Sequence, residues 1–230
     1  MKKIIVFLIT TMLAGGCSLS DGTSNQQVTP VSLLSVYNAN ADADADVNMS
    51  LNSVQVNTTA IAYKTFLEYF QLDPGDKIIK FTTASSGAMV IDTSFTILGF
   101  KAYSLFLTKK KNSTKVVALF TKDEGTLVSK SNTLVRFINL SPDSPAVDVK
   151  FVGEPTVFAS NVPFMQITAF TEILSLNQSV QIVRSSDGQL LTTATLSSTG
   201  AGSYQTIILS GYNSSPVGGA NTLTTKVVHD

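Results

Sequence analysis

The chain has 230 residues with 16 basic and 16 acidic side chains, one histidine, one cysteine and no tryptophan. That charge balance gives no electrostatic reason to expect nucleic acid or an anionic surface as a partner. The only histidine, His229, is the penultimate residue, which argues against a Ser-His-Asp or Cys-His arrangement and against zinc sites built from His and Cys.

The first segment reads MKKIIVFLITTMLAGGC: two lysines, an apolar run from Ile4 to Leu13, small residues, then Cys17. This is the layout of a secretory signal peptide, expected over residues 1–16. The apolar run is about half the roughly 20 residues a spanning helix needs. Cys17 after Leu13-Ala14-Gly15-Gly16 resembles the lipobox of bacterial lipoproteins, with Ala14 where leucine is usual. The resemblance implies a diacylglycerol on the Cys17 thiol and a membrane partner reached through that lipid. The alternative is an ordinary signal peptide with a buried or free thiol. With Cys17 lipidated, no disulfide is available and stability must come from packed cores. Loss of Lys2 and Lys3 with the leader leaves a net charge of −2. Residues 17–30 then read as the lipidated cysteine and a polar, flexible tether.

The next stretch, NANADADADVNMS, sets Asp42, Asp44 and Asp46 at alternate positions. An EF-hand loop starting at Asp42 needs glycine at its sixth position and glutamate at its twelfth; Val47 and Ser53 stand there. The loop reads as structural, its aspartates bonding nearby amides, with a weak, partly hydrated calcium site as the alternative. No tight metal site and no cofactor is expected.

A shift of 101 residues lays Leu33–Val47 on Leu134–Asp148, pairing Asn38 with Asn139 and Asp42 with Asp143. The same shift pairs Tyr69 with Phe170, Gly87 with Gly188, Gly99 with Gly200 and Tyr103 with Tyr204. Two copies of one unit are the economical reading: residues 31–124 and 133–230, joined by a linker over 125–132. Tyr103 and Tyr204 follow glycine turns and are expected to anchor a neighbouring loop through their hydroxyls.

Within each copy, short segments rich in Val, Ile, Leu, Phe and Thr alternate with turn signals such as Ser185-Ser186-Asp187-Gly188. Lys64–Leu72 is the ambiguous run: Phe66, Tyr69 and Phe70 would share a helical face, but the second copy favours a strand there. Seven to eight strands per copy predict an all-β chain of two tandem Ig-like β-sandwiches. The four glutamates, Glu68, Glu124, Glu154 and Glu172, are a poor start for a glycosidase pair and read as solvated strand residues. Tyr63, Phe66, Tyr69 and Phe70 read as core rather than as a sugar platform.

The second copy also resembles the bacterial domain-of-unknown-function family 4397. The resemblance rests on Val135-Arg136-Phe137-Ile138, Ser141-Pro142-Asp143-Ser144-Pro145, Asp148-Val149 and the late turn at Gly200, Gly202 and Tyr204. The first copy lacks both prolines and the arginine. Such a resemblance implies secreted or lipid-anchored sandwich proteins of the bacterial envelope, with no catalytic mechanism attached. The expectation is a non-enzymatic, lipid-anchored envelope protein, at the outer membrane, acting as scaffold, spacer or adhesion module with envelope proteins or glycans as partners. The alternative is an accessory lipoprotein that captures glycan or peptide. A spacer should have closed sandwiches and a small interface, a capture protein an exposed cleft in or between the units.

Overall fold

A computed structural model describes residues 29–42, 45–109, 112–174, 177–196, 202–215 and 221–229. The leader, Cys17, Asp44 and Gly200 lie outside the described residues. The first half contains β1 (Ser32–Asn38), β2 (Val47–Leu51), β3 (Val54–Gln55), β4 (Phe66–Leu72), β5 (Gly75–Thr83), β6 (Met89–Ile97), β7 (Ala102–Lys109) and β8 (Val116–Lys122). The second contains β9 (Asn132–Asn139), β10 (Val147–Phe151), β11 (Val157–Val162), β12 (Thr171–Leu174), β13 (Gln178–Arg184), β14 (Leu190–Leu196), β15 (Tyr204–Ser210) and β16 (Thr224–His229). Within the ambiguous run, Phe66–Leu72 forms a strand, β4, which pairs antiparallel with β1.

The halves have one topology. In the first, sheet β4-β1-β7-β8 packs on sheet β3-β2-β5-β6; in the second, β12-β9-β15-β16 packs on β11-β10-β13-β14. Each strand is replaced by the one eight places on. β1 and β7 run parallel, as do β9 and β15. The turn signal at Ser185-Ser186-Asp187-Gly188 joins β13 to β14, and Ser85-Ser86-Gly87 joins β5 to β6 in the first unit. Gly87 and Gly188 there adopt φ of 70° and 73°, a region only glycine enters without steric cost.

The repeat is most literal at Asn38 and Asn139, both fully buried. The Asn38 amide donates to the carbonyls of Ala45 and Ile61, and its Oδ1 accepts from Asn40 N. The Asn139 amide donates to Ser144 Oγ and Val162 O, and its Oδ1 accepts from Ser141 N. One carboxamide per unit thus ties the loop after the first strand to the segment bridged to the start of the second, Ile61 opposite Val47 and Val162 opposite Val147. The Asp-rich loop and its Pro-rich counterpart both hang on this bond set.

Each sandwich has its own core: Leu34, Val36, Met49, Ile79, Phe81 and Leu105 among others in the first, and Val135, Phe137, Val149, Ile182, Ile207 and Leu209 in the second. A third core lies between the units, built from Tyr37, Ala39, Phe106, Ile138, Leu140, Ile208 and Val228. The residues of β1, β7, β9 and β15 that point away from their own sandwich therefore meet across a junction, and the four sheets stack. A spacer needs only a small interface; here the contact between the units is a buried core. The inner strands are covered on both faces: one side enters the unit's own core, and the other, apolar at Tyr37, Phe106, Ile138 and Ile208 and polar at Ser104, Thr108, Arg136 and Thr206, is buried against the other unit.

Segment 125–132 runs over the second unit. Val128 N, Ser129 N and the Asn132 amide all donate to the Glu172 carboxylate. A side chain at Gly125 would lie 2.8 Å from Leu134 Cδ1 and 3.1 Å from Phe170 Cβ.

Candidate functional site: the junction and its rim

Arg136 is the largest fully buried side chain in the described residues, 1% exposed. Its position follows from strand alternation: Val135 and Phe137 enter the second core, so Arg136 faces the first unit. Nη1 pairs with Asp123 Oδ1 at 2.7 Å, Nη2 donates to Ser104 Oγ at 3.2 Å, and Nε donates to Thr206 Oγ1 at 2.8 Å. The guanidinium also lies 4.4 Å from the Phe170 ring centre and 5.8 Å from that of Phe106, a geometry that favours a delocalised cation. Asp123 Oδ2 accepts from Tyr69 Oη at 2.7 Å and Ser104 Oγ at 2.9 Å. A buried charge is tolerable when paired and hydrogen-bonded in this way.

Further bonds cross the junction. Thr108 Oγ1 donates to Leu140 O, and Lys226 Nζ donates to Lys64 O. The Lys226 ammonium lies over the rings of Phe66 and Tyr37, and burial lowers its pKa. Burial also pushes the Tyr37 phenol well up, with the Ser210 hydroxyl opposing.

At the end where the loops after β1 and β9 meet, Asp42 accepts from Lys109 Nζ at 2.8 Å and from Tyr212 Oη at 2.6 Å. Burial, then the bond to Asp42, raises the Tyr212 phenol. Asp143 accepts from Asn213 N at 2.7 Å and Ser214 N at 2.9 Å. Burial pushes its carboxyl up, but the Ser214 hydroxyl and these backbone bonds together outweigh it and hold the carboxyl below its ordinary value. Grooves of about 470 Å³ and 550 Å³ open around this rim, the first lined by Lys109, Pro142, Asp143 and Tyr212, the second by Asp42, Asp46, Tyr63 and Asn221.

The sequence-predicted residues divide between these places. Asp42 and Asp143 face the rim from matched loops, whereas Asp46 is exposed and accepts from Ala84 N only through its carbonyl. Asp148 does not line the rim grooves; it ties the end of β11 to the β13–β14 turn, its Oδ1 accepting from Ser185 Oγ at 2.6 Å and Asn161 N at 2.8 Å. Gly99 is pressed against Pro30, 2.7 Å from where its Cβ would lie. Among the described residues, no cluster of three His, Cys, Asp or Glu side chains could hold a metal.

Tyr103 and Tyr204 anchor through their hydroxyls but not at one position. Tyr103 lies opposite Leu34, inside the first core, and its Oη accepts from Leu98 N at 3.0 Å. Tyr204 lies opposite Leu134, stacks edge-on to Phe170, and donates to Gly125 O at 3.0 Å. With Asn38 matched to Asn139, β7 and β15 are offset by one further residue. Gln205 therefore takes the place equivalent to Tyr103, and Tyr204 points to the opposite face. A one-residue slip reverses the face of every side chain in a strand.

The aromatic set on β4 separates as well. Phe70 packs on the first core, Tyr69 bonds Asp123, and Phe66 lies under Lys226. Glu172 caps the 128–132 turn rather than standing solvated. Asp123, Lys109, Tyr212 and Lys226 were not visible as site residues in the sequence. The available signal was a single charge, Arg136, in the middle of the apolar run Leu134–Ile138.

The family described as Domain of unknown function (DUF4397) matches residues 32–150. The chain belongs to this family. The match covers the whole first unit, β9 and β10 up to Lys150, so it falls mainly on the half whose resemblance is weaker by eye. It includes both Asp123 and Arg136. No curated protein matches the chain. Among solved structures, CBMbc (family CBM26) from Eubacterium rectale Amy13K, in complex with maltoheptaose, is similar at 11% identity and a TM-score of 0.27, covering 86% of this chain and 96% of that one.

Proposed function

We propose that this DUF4397 protein is a non-enzymatic, lipid-anchored component of the bacterial envelope whose two sandwiches act as one rigid scaffold or adhesion module. The observation that carries this reading is the third core, closed by the buried Arg136–Asp123 pair. A chain built to give reach alone gains nothing from fusing its units face to face, whereas one built to present a surface in a fixed orientation does. The carboxylates of junction and rim support the same reading, since Asp42, Asp123 and Asp143 are all engaged by internal donors.

The anchor is tested by intact mass spectrometry of protein extracted from its native envelope. A diacylglyceryl adduct on Cys17, lost in Cys17→Ala, is expected; a soluble chain with an unmodified thiol would overturn it.

A second reading, capture of a glycan or peptide, is favoured by the rim grooves, which both units line. Saturable binding of a glycan to the full chain, abolished by Tyr212→Ala, would select it over the scaffold.

A further inference from the structure

The exposed apolar side chains are not spread evenly. Leu98 is 49% exposed, Phe100 67%, Val128 88% and Leu174 64%. All four belong to one end of the stacked sheets. Leu98 and Phe100 form the turn between β6 and β7, Leu174 is the last residue of β12, and Val128 lies in the turn held by Glu172. The units share this end because their strands run the same way across the junction. Ser104 meets Arg136, and four residues on in both segments Thr108 meets Leu140.

The chain enters the molecule at this same end. Pro30 packs on Gly99, and Phe100 N donates to Val31 O. Phe100 also has φ of 60°, a conformation a bulky residue adopts at a steric cost, and here it holds an aromatic ring out in solvent. Core packing does not explain that arrangement, since the ring is displayed rather than buried.

We propose that this end is a lipid-contacting tip, in which Leu98 and Phe100 enter the boundary between headgroups and acyl chains while Val128 and Leu174 face the same surface. The inference rests on the anchor reading above. From Cys17 to Thr29 the chain can span at most about 40 Å, and the opposite end of the sandwich lies a further strand length away, roughly 25 Å. A lipid on Cys17 therefore brings the Phe100 end to the membrane with the least stretching of the tether. Apolar and aromatic side chains at a water-facing tip gain by partial insertion at such a boundary.

The absence of tryptophan makes the test direct. Phe100→Trp, Leu98→Trp and Met89→Trp, the last 57% exposed at the far end of β6, are each made in the full chain. Each is then reconstituted into phosphatidylethanolamine–phosphatidylglycerol vesicles whose acyl chains carry bromine near the headgroup end. Phe100→Trp and Leu98→Trp should lose most of their emission, and Met89→Trp should keep it. If the vesicles float with protein but all three emit alike, the tip is overturned and the anchor stands. If no protein floats, both fall. Emission of Phe100→Trp that is already blue-shifted in the Cys17→Ala chain without vesicles would mean that another copy covers the tip, and would also overturn it.

Discussion

Arg136 on β9 and Asp123 just beyond β8 meet at 2.7 Å with side chains 2% and 4% exposed, one from each sandwich. Their pairing sets the depth at which the two units dock. It also makes the junction sensitive to loss of either charge alone. Breaking a buried pair from one side leaves the other ion uncompensated and costs about 3–5 kcal/mol. Arg136→Met and Asp123→Leu should each lower stability by that order, while the double variant should recover much of the loss. Urea unfolding of the four chains, read as a double-mutant cycle, checks this. Additive single losses would show that the pair is not the organising contact.

The two-sandwich plan was legible in the sequence because its signals are local: turn glycines, short β-branched runs, and the Asn38 and Asn139 loops in phase. The junction was not, because its parts are distant in sequence and each looks ordinary alone. Asp123 sits in a polar stretch that reads as a domain boundary, and its burial follows only once β9 brings Arg136 to it. The structure records the junction in the burial runs of β7, β9 and β15, where nearly every residue is covered, against the alternation along β6 and β10. Strands covered on both faces lie inside a stack. The tyrosine offset is hidden in the sequence for a different reason: two tyrosines after glycine turns align well as letters, and only pairing partners reveal the change of face.

That change of face separates the two hydroxyls energetically. Tyr103→Phe removes the acceptor for Leu98 N at a part-buried site, which should cost about 1 kcal/mol. Tyr204→Phe frees the Gly125 carbonyl, whose bond is exposed, so water can replace the phenol and the loss should be smaller. Thermal unfolding of both variants decides it, and equal losses would contradict the assignment of one tyrosine to the core and the other to the rim of the linker.

Asp143 and Asp148 make the acid limb of stability predictable. Asp148 is lowered first by the Ser185 hydroxyl, against opposing burial and with help from Asn161 N; Asp143 is lowered because its bonds to Ser214 and Asn213 outweigh burial. A carboxyl whose folded pKa lies below its unfolded value stabilises fully above the unfolded pKa, near 3.9 for Asp, and loses that contribution as pH falls through the folded pKa. Stability should therefore be flat above about pH 5 and fall below about pH 4. Asp148→Asn should cost about 1 kcal/mol at neutral pH and make that fall shallower. Denaturant midpoints across the acid range test this, and an unchanged slope in the variant would exclude Asp148 as a contributor.

Calcium should leave the protein almost unmoved, although its most conspicuous sequence feature is a run of alternating aspartates. Asp42 has spent its acceptors on Lys109 and Tyr212, so an ion would have to displace an ammonium at 2.8 Å and a phenol at 2.6 Å before gaining one ligand. Asp46 is exposed and offers its carbonyl to Ala84, which fixes the backbone without organising the carboxylate. The corresponding loop in the second unit does the same work with Pro142 and Pro145, so the turn itself needs no metal. An ion present at a hundred times its dissociation constant would stabilise the unit by about 2.7 kcal/mol, a readily measured rise in melting temperature. Melting curves in millimolar calcium and in chelator should nearly coincide, and Asp42→Asn should destabilise equally in both, through the loss of Lys109 rather than of a ligand. A calcium-dependent rise abolished by changing Asp42, Asp44 and Asp46 together to Asn would show instead that the ion pair opens to admit the metal.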